Sequence, residues 1–395
     1  MPLDIDKLYL QVQEMASAIP ASAARAQLAE AQRRLRQADA DKLRKKLDER
    51  EKGKPKIPWL VAEPVDTLSA ILPAPPPPAD FSVAAADGST IPPDRHSEVR
   101  FYVINVGQTI LTYGSSPGAV LGASGDLYHT EEELFFDAGN KHIPIEGRRL
   151  GIRMSVEEMD GLLDAGCKAP SPAIAICDGS LILWQLQSKD EDQDFCTHYL
   201  ERFLHALGAF RNMGIPVVSY ISYPGSGEVA NSLRLLLCDD TNRRCQDCPQ
   251  DTSDQRLCRY IGGLRDRHLF QGLLNPGERS DILISQSQIL EKYGDHKIQF
   301  FYTDVGGEIA RVEAPSWVMG DREMLDLVHS VIYDQCQRSS QYPPYPPALI
   351  EAHEQAVIST GERQMVENLV EQVLAAQGHD YVRSAKDRSK RSRGV

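Results

Sequence analysis

No apolar run in this 395-residue sequence approaches the ~18 residues of a membrane-spanning helix, so the chain offers no candidate for one. The first residues, MPLDIDKLYL, carry acids early and lack an apolar signal core, so no secretory leader is expected there. Cysteine is not dense. Eight in the whole chain fall short of a small disulfide-stapled scaffold, and a reducing, cytoplasmic setting is expected. An excess of positive charge is missing too. The formal net charge of −13 excludes a generic polyanion binder. It does not exclude an enzyme that acts on a polyanion, because metal-binding carboxylates add negative charge and a local basic surface suffices for contact. The GxxxxGK[ST] phosphate loop is absent, so any coupling to nucleotide hydrolysis would come from a partner. No internal repeat is visible.

What is present reads as a soluble α/β protein, with 25% charged and 42% apolar residues. Residues 1–72 are expected to be an N-terminal helical region, rich in Ala, Leu, Gln, Arg and Lys up to residue 52. Leu28 and Leu35 have heptad spacing, but Lys42 breaks the register, so no coiled coil is expected. PAPPPP at 73–78 is a stiff spacer, and 73–79 is taken as a linker. The main domain is expected over 80–379, with a Cys-rich insertion at 238–258 and a basic disordered tail at 380–395. Basic residues cluster over Lys42–Lys56 and Arg383–Arg393, which read as a solvated helix face and part of that tail.

Within the main domain the text alternates. Strands are expected at 81–87, 173–177, 181–187 and 215–223, and hairpins at 99–106/108–113, meeting at Gly107, and at 298–304/308–313. Helices are expected through 130–165 with a break near Pro144 and Gly147, and at 194–213, 229–237, 320–339 and 347–378 with a break near Gly361. Hairpins mixed with crossover helices imply a mixed sheet covered by helices.

Asp-Gly-Ser occurs twice, at 87–89 and 178–180, each time after a buried-looking strand (VAAA, AIAIC). As turn chemistry, Asp-Gly is common. As site chemistry, a carboxylate at a strand end is a hard oxygen ligand for Mg²⁺ or Mn²⁺, and the following glycine leaves room for a ligand. Phosphodiester hydrolysis asks for several such groups together, because charge spreads over the phosphoryl oxygens. Further donors are at hand. Glu157 and Glu158 open the helix expected at 155–165, with Ser155 as its N-cap. Glu158 shares a face with Leu162 and is the better placed of the two. Late in the chain, YPPYPPALIEAHEQAV sets prolines at a helix start, with Tyr345 before the helix and His353 on it.

In this order and context, ADGS after an apolar strand, a glutamate on a following helix, a second strand ending DGSL and a late YPPALIEAH helix resemble the NurA nuclease family over roughly 80–375. The segment Ser280–Gln288 after NPGER is similar as well. The resemblance implies an RNase H-like fold and a homodimer. It implies Mn²⁺-dependent 5′–3′ exonuclease and single-strand endonuclease activity on DNA. It also implies partnership with a hexameric HerA-type ATPase in end resection and repair. Carried over, Asp87, Glu158 and Asp178 would be ligands of Mn²⁺ or Mg²⁺, His353 a ligand or catalytic imidazole, and Tyr345 a site residue. Two other readings stay open: a catalytically silent docking subunit of a ring ATPase, and an RNase H-like enzyme acting on RNA or a hybrid.

Cys238, Cys245, Cys248 and Cys258 lie in one polar stretch, as C-x₆-C-x₂-C-x₉-C. Four thiolates there would close a structural zinc site or hold an iron–sulfur cluster, and such a polar loop has little else to order it. Unliganded thiols in a surface insertion are the alternative. Cys167, Cys177, Cys196 and Cys336 fall in helix or strand contexts and are expected in the core.

Overall fold

The computed structural model describes residues 3–17, 21–51, 57–94, 99–187, 192–238, 258 and 261–379. The strands are β1 (Ala62–Pro64), β2 (Ile71–Pro73), β3 (Phe81–Ile91), β4 (Tyr102–Tyr113), β5 (Gly118–Tyr128), β6 (Phe135–Ala138), β7 (Lys141–Pro144), β8 (Ala173–Asp178), β9 (Val217–Ile221), β10 (Glu278–Ser280), β11 (Leu283–Ser285), β12 (Ile298–Asp304) and β13 (Ile309–Pro315). The helices are α1 (Ile5–Ser17), α2 (Ala21–Arg36), α3 (Ala40–Glu51), α4 (Glu131–Leu134), α5 (Arg148–Lys168), α6 (Gln193–Met213), α7 (Glu228–Leu236), α8 (Asp266–Phe270), α9 (Ser316–Met319), α10 (Arg322–Arg338), α11 (Pro347–Ala356) and α12 (Thr360–Ala376). No helix among the described residues is long and apolar enough to cross a membrane.

The main sheet runs β1-β11-β12-β13-β9-β8-β3-β4-β5, with β10 and β2 attached beside β12. β3, β4 and β5 form an antiparallel meander, β8 and β9 lie parallel to β3, and β13 returns antiparallel. A meander joined to parallel crossover strands is the mixed, helix-flanked α/β sheet expected from the sequence. Alternation along β3 explains the layers. Ala84 and Ala86 face a cluster with α5 and α6, while Val83 and Ala85 face one with α10 and α11. Small residues on both faces of β3 let helices approach closely from each side.

The structure corrects several local expectations. The first Asp-Gly-Ser is not a turn. β3 continues through it to Ile91, because Asp87–Ile91 pair with Gly107–Val103 of β4, and ladder pairing outweighs local turn preference. The two strands expected to meet at Gly107 are one strand, β4, and its hairpin partner is β5. A Cβ on Gly107 would lie 2.4 Å from both Ala352 O and Ala356 N, so this glycine admits α11 onto the sheet. Residues 130–165 hold the β6–β7 hairpin before α5, and α5 starts at Arg148. Ser155 is therefore inside the helix, donating to Gly151 O at 3.1 Å, and is not its cap. Residues 181–187 are no strand. Leu181, Ile182 and Leu183 are buried, and Trp184–Gln187 form a 3₁₀ turn. The late helical break falls at Val357–Ser359, where Ser359 caps α12 in a capping box, and Gly361 lies within that helix. Cys196 and Cys336 are buried and Cys177 is partly so, but Cys167 is exposed.

The helical region ahead of the Pro-rich segment also carries β1 and β2, which pair with β11 and β10. Ala31 and Leu35 of α2 and Leu43 of α3 are buried with Val229, Leu233 and Phe300 in a third cluster. By contrast, α1 buries none of its residues, and β5 is an exposed edge strand along nearly its whole length.

Candidate active site

β3 and β8 are neighbouring parallel strands, paired from Ser82–Ala173 to Ala86–Cys177. Asp87 and Asp178 are the next residues on each, so the sheet itself sets them side by side, one strand spacing (~4.8 Å) apart. Both lie on the alternation that faces α10 and α11. From that side α11 supplies His353, whose Nδ1 stands 2.6 Å from Asp87 Oδ2. An Nδ1–H donated there leaves Nε2 as the free ring nitrogen. Tyr345, just before α11, donates its hydroxyl to the Asp178 carboxylate and packs edge-on against Tyr220, ring centroids 5.4 Å apart. α11 is held at its far end, where the Ala356 carbonyl accepts from Ser89 Oγ and from Asn105 Nδ2, the latter at 2.7 Å.

The third acid arrives from the opposite layer. Pairing of β3 with β8 ends at Ala86–Cys177, and Glu158 of α5 comes against β3 just beyond, where Gly88 N–H donates to it. A Cβ on residue 88 would lie 2.5 Å from Glu158 Oε1. The glycine therefore makes the space that the carboxylate fills. Withdrawal from water and the charges of Asp87 and Asp178 push the Glu158 carboxyl up to about 8. Protein packed round Asp178 raises its carboxyl too, opposed by the Tyr345 hydroxyl and Gly179 N–H. Burial and the Asp178 charge push the Tyr345 hydroxyl up as well, so it stays protonated and a donor.

Thus the structure brings Asp87, Glu158, Asp178, Tyr345 and His353 to one end of the β3–β8 pair. Glu157 is turned away: it takes Arg153 Nε and the Tyr128 hydroxyl, both at 2.8 Å. Sequence reasoning did not find the support behind Asp178. Glu313 of β13 accepts from Ser180 Oγ at 2.8 Å and Leu181 N at 3.0 Å, pinning the chain reversal after β8. Arg311 holds Glu313 and Glu228 at 2.8 and 2.7 Å. The signal available for it was a charged pair, Arg311 and Glu313, in an otherwise apolar strand. Of the four cysteines singled out in the sequence, Cys245 and Cys248 lie outside the described residues. Lys46 Nζ donates to the Cys238 carbonyl at 2.8 Å.

Among the described residues, no three His, Cys, Asp or Glu side chains stand in an arrangement that could hold a metal ion in their present rotamers. Asp87 is turned to His353, Asp178 to Tyr345 and Glu158 to Gly88. The donor set nevertheless suits a hard divalent cation. The charges of Asp87 and Asp178 beside the buried Glu158 carboxyl are the electrostatic condition such a cation relieves.

Fold and site together define a mixed α/β protein with an acidic cluster where the parallel pairing of β3 with β8 ends, the kind of place on an α/β sheet where ligands gather. A family model described as the NurA domain matches residues 81–358, and the chain belongs to the NurA family. Among solved structures, the crystal structure of the NurA nuclease from Sulfolobus solfataricus is similar in fold, with a TM-score of 0.50 and 14% identity over 95% of this chain and 98% of that one. A search of curated proteins gave no match.

Proposed function

We propose that this protein is a divalent-metal-dependent DNA nuclease, with Asp87, Glu158 and Asp178 as metal-binding carboxylates. The observation that carries this reading is the convergence of those three carboxylates with His353 and Tyr345 where the β3–β8 pairing ends. Family membership and the nuclease of similar fold support it. A bound Mn²⁺ or Mg²⁺ would neutralise charge on the phosphoryl oxygens and lower the pKa of a water. The protein's own part follows from the geometry. Asp87 orients the His353 ring so that Nε2 can accept or donate a proton at the reacting group. Tyr345 steadies the Asp178 carboxylate and offers a hydroxyl that stays protonated.

The finer reading follows the same family: 5′–3′ exonuclease and single-strand endonuclease activity, a homodimer, a cytoplasmic location, and work beside a hexameric HerA-type ATPase in end resection. A dimer beneath a hexamer would impose a symmetry mismatch. Purified protein should degrade single-stranded DNA with Mn²⁺ and be silent in EDTA. Asp87→Asn or Asp178→Asn should lower the rate by at least about a thousandfold while circular dichroism and melting stay near wild type. Cleavage that survives both substitutions would overturn the site assignment.

A further inference from the structure

Tyr223 is the one non-glycine residue among those described with a positive φ, at 47°. It is also 65% exposed. A left-handed aromatic is strained, and here nothing is gained in the core. Three side chains hold the loop in this state. Glu308 accepts from Tyr223 N–H and the Ser222 hydroxyl. The Arg267 guanidinium stacks 3.8 Å from the Tyr223 ring centroid and donates to Pro224 O at 2.8 Å. Arg265 donates to Gly225 O at 2.7 Å. One face of the ring is thus covered by a cation, and much of the ring stays open to solvent.

The place of this tyrosine matters. It follows β9, where Tyr220 is in register with Asp178. Three residues on and one strand over, its main chain lies within ~11 Å of that of Asp178. Three cavities are strung along this edge of the sheet. The first, about 210 Å³, contains Glu158 and Asp178. The second, about 380 Å³, shares Ser180 and Trp184 with the first and has Arg265 and Pro224 in its wall. The third, about 400 Å³, is walled by Tyr223 and Arg267. Asp304 and Glu308 also line the third cavity, and Glu308 is engaged by Tyr223 N–H and the Ser222 hydroxyl. In a chain of net charge −13, aromatic rings interleaved with arginines beside the acidic cluster have the composition of a single-strand platform: bases stack on rings while cations track phosphates.

We propose that Tyr223, backed by Arg267 and flanked by Arg265, is a stacking subsite for an unpaired nucleotide of the strand being cut. This rests on the nuclease reading above and adds to it a specific contact outside the acidic cluster. The loop strain is then functional, since it presents an aromatic face that a relaxed loop would not.

The test is fluorescence anisotropy of a labelled oligo-dT and of a blunt duplex of equal length, in EDTA so that nothing is cut. Tyr223→Ala should weaken oligo-dT binding about tenfold and raise KM for its cleavage by a similar factor. Tyr223→Phe should restore both. Tyr223→Gly should bind as poorly as Tyr223→Ala yet melt at or above the wild-type temperature, because glycine tolerates the positive φ. Single-strand affinity within twofold of wild type for both Tyr223→Ala and Tyr223→Gly would overturn the proposal, as would an equal loss on the duplex. Hydrolysis of bis(p-nitrophenyl) phosphate by the wild-type chain with Mn²⁺ judges the nuclease reading separately. Its failure would leave the anisotropy result to decide the subsite alone.

Discussion

Gly88 shows how little separates the proposed site from an ordinary strand. Its missing side chain is the volume that Glu158 occupies. Gly88→Ala should therefore displace a flexible carboxylate rather than backbone, so the cost falls on function. Cleavage should drop by tenfold or more, while the melting temperature moves by only a few degrees. A variant equally active as wild type would show that Glu158 is not needed where it stands. His329 tests a different residue-scale claim. It is 2% exposed on α10, its ring centroid 5.7 Å from that of Phe301, and burial and the Arg279 charge push its pKa down to about 3. The folded imidazole stays neutral well below the 6.5 at which a free one takes its proton. Between those values the unfolded chain binds a proton that the folded chain does not, so stability falls with pH by up to about 1.4 kcal/mol per unit. His329→Gln should flatten that slope in urea titrations at pH 7, 6 and 5, whatever its effect at pH 7. An unchanged slope would place the acid sensitivity elsewhere. The aspartates, Tyr345 and His353 were legible as candidates, because each has a local marker: an acid after an apolar run, or prolines before a helix. The space made by Gly88 and the strained Tyr223 were not legible, and the Arg311–Glu313 pair marked a polar support without saying what it supports. They depend on which elements meet.

At the scale of elements, α11 illustrates both sides. Its start was readable from the prolines, and the structure has Pro347 at its first turn. Its seat was not readable, since that depends on Gly107 in the middle of β4. Gly107→Ala would place a methyl against the α11 backbone, where no side chain can move aside. The expected result is a loss of roughly 1–3 kcal/mol and displacement of His353 from Asp87, read as a lower urea midpoint together with a lower cleavage rate. A stable, inactive protein or an active, unstable one would each break the link drawn between the seat and the imidazole. The longest misreading, β3 ending at a turn, has the same origin. Asp-Gly-Ser is turn chemistry in isolation, and only the presence of β4 alongside keeps the strand extended. Helices with a full apolar face, such as α6 and α10, needed no such context and were read to within a few residues.

For the whole molecule, the Pro-rich segment looked like a boundary because its composition changes there. Yet β1 and β2 on its N-terminal side are hydrogen-bonded into the sheet. Composition reports stiffness, whereas strand pairing is long-range and leaves no local trace. Two truncations separate these regions. A chain starting at Ala21 loses α1, which buries nothing, and should melt within about 2 °C of the full chain. A chain starting at Ile57 strips Ala31, Leu35 and Leu43 from their cluster and should melt lower by at least about 5 °C. Equal melting temperatures would show that the helical region is an appendage.

The side-by-side aspartates carry a final consequence. Their separation is a main-chain period, one strand to the next, and no loop length or side-chain size enters it. A spacing fixed that way is indifferent to sequence drift so long as the two strands still pair and each still carries its acid. The similar fold at 14% identity shows how far drift can run in this architecture. A designer could therefore replace the helices wholesale and expect the distance between Asp87 and Asp178 to be the last quantity to change.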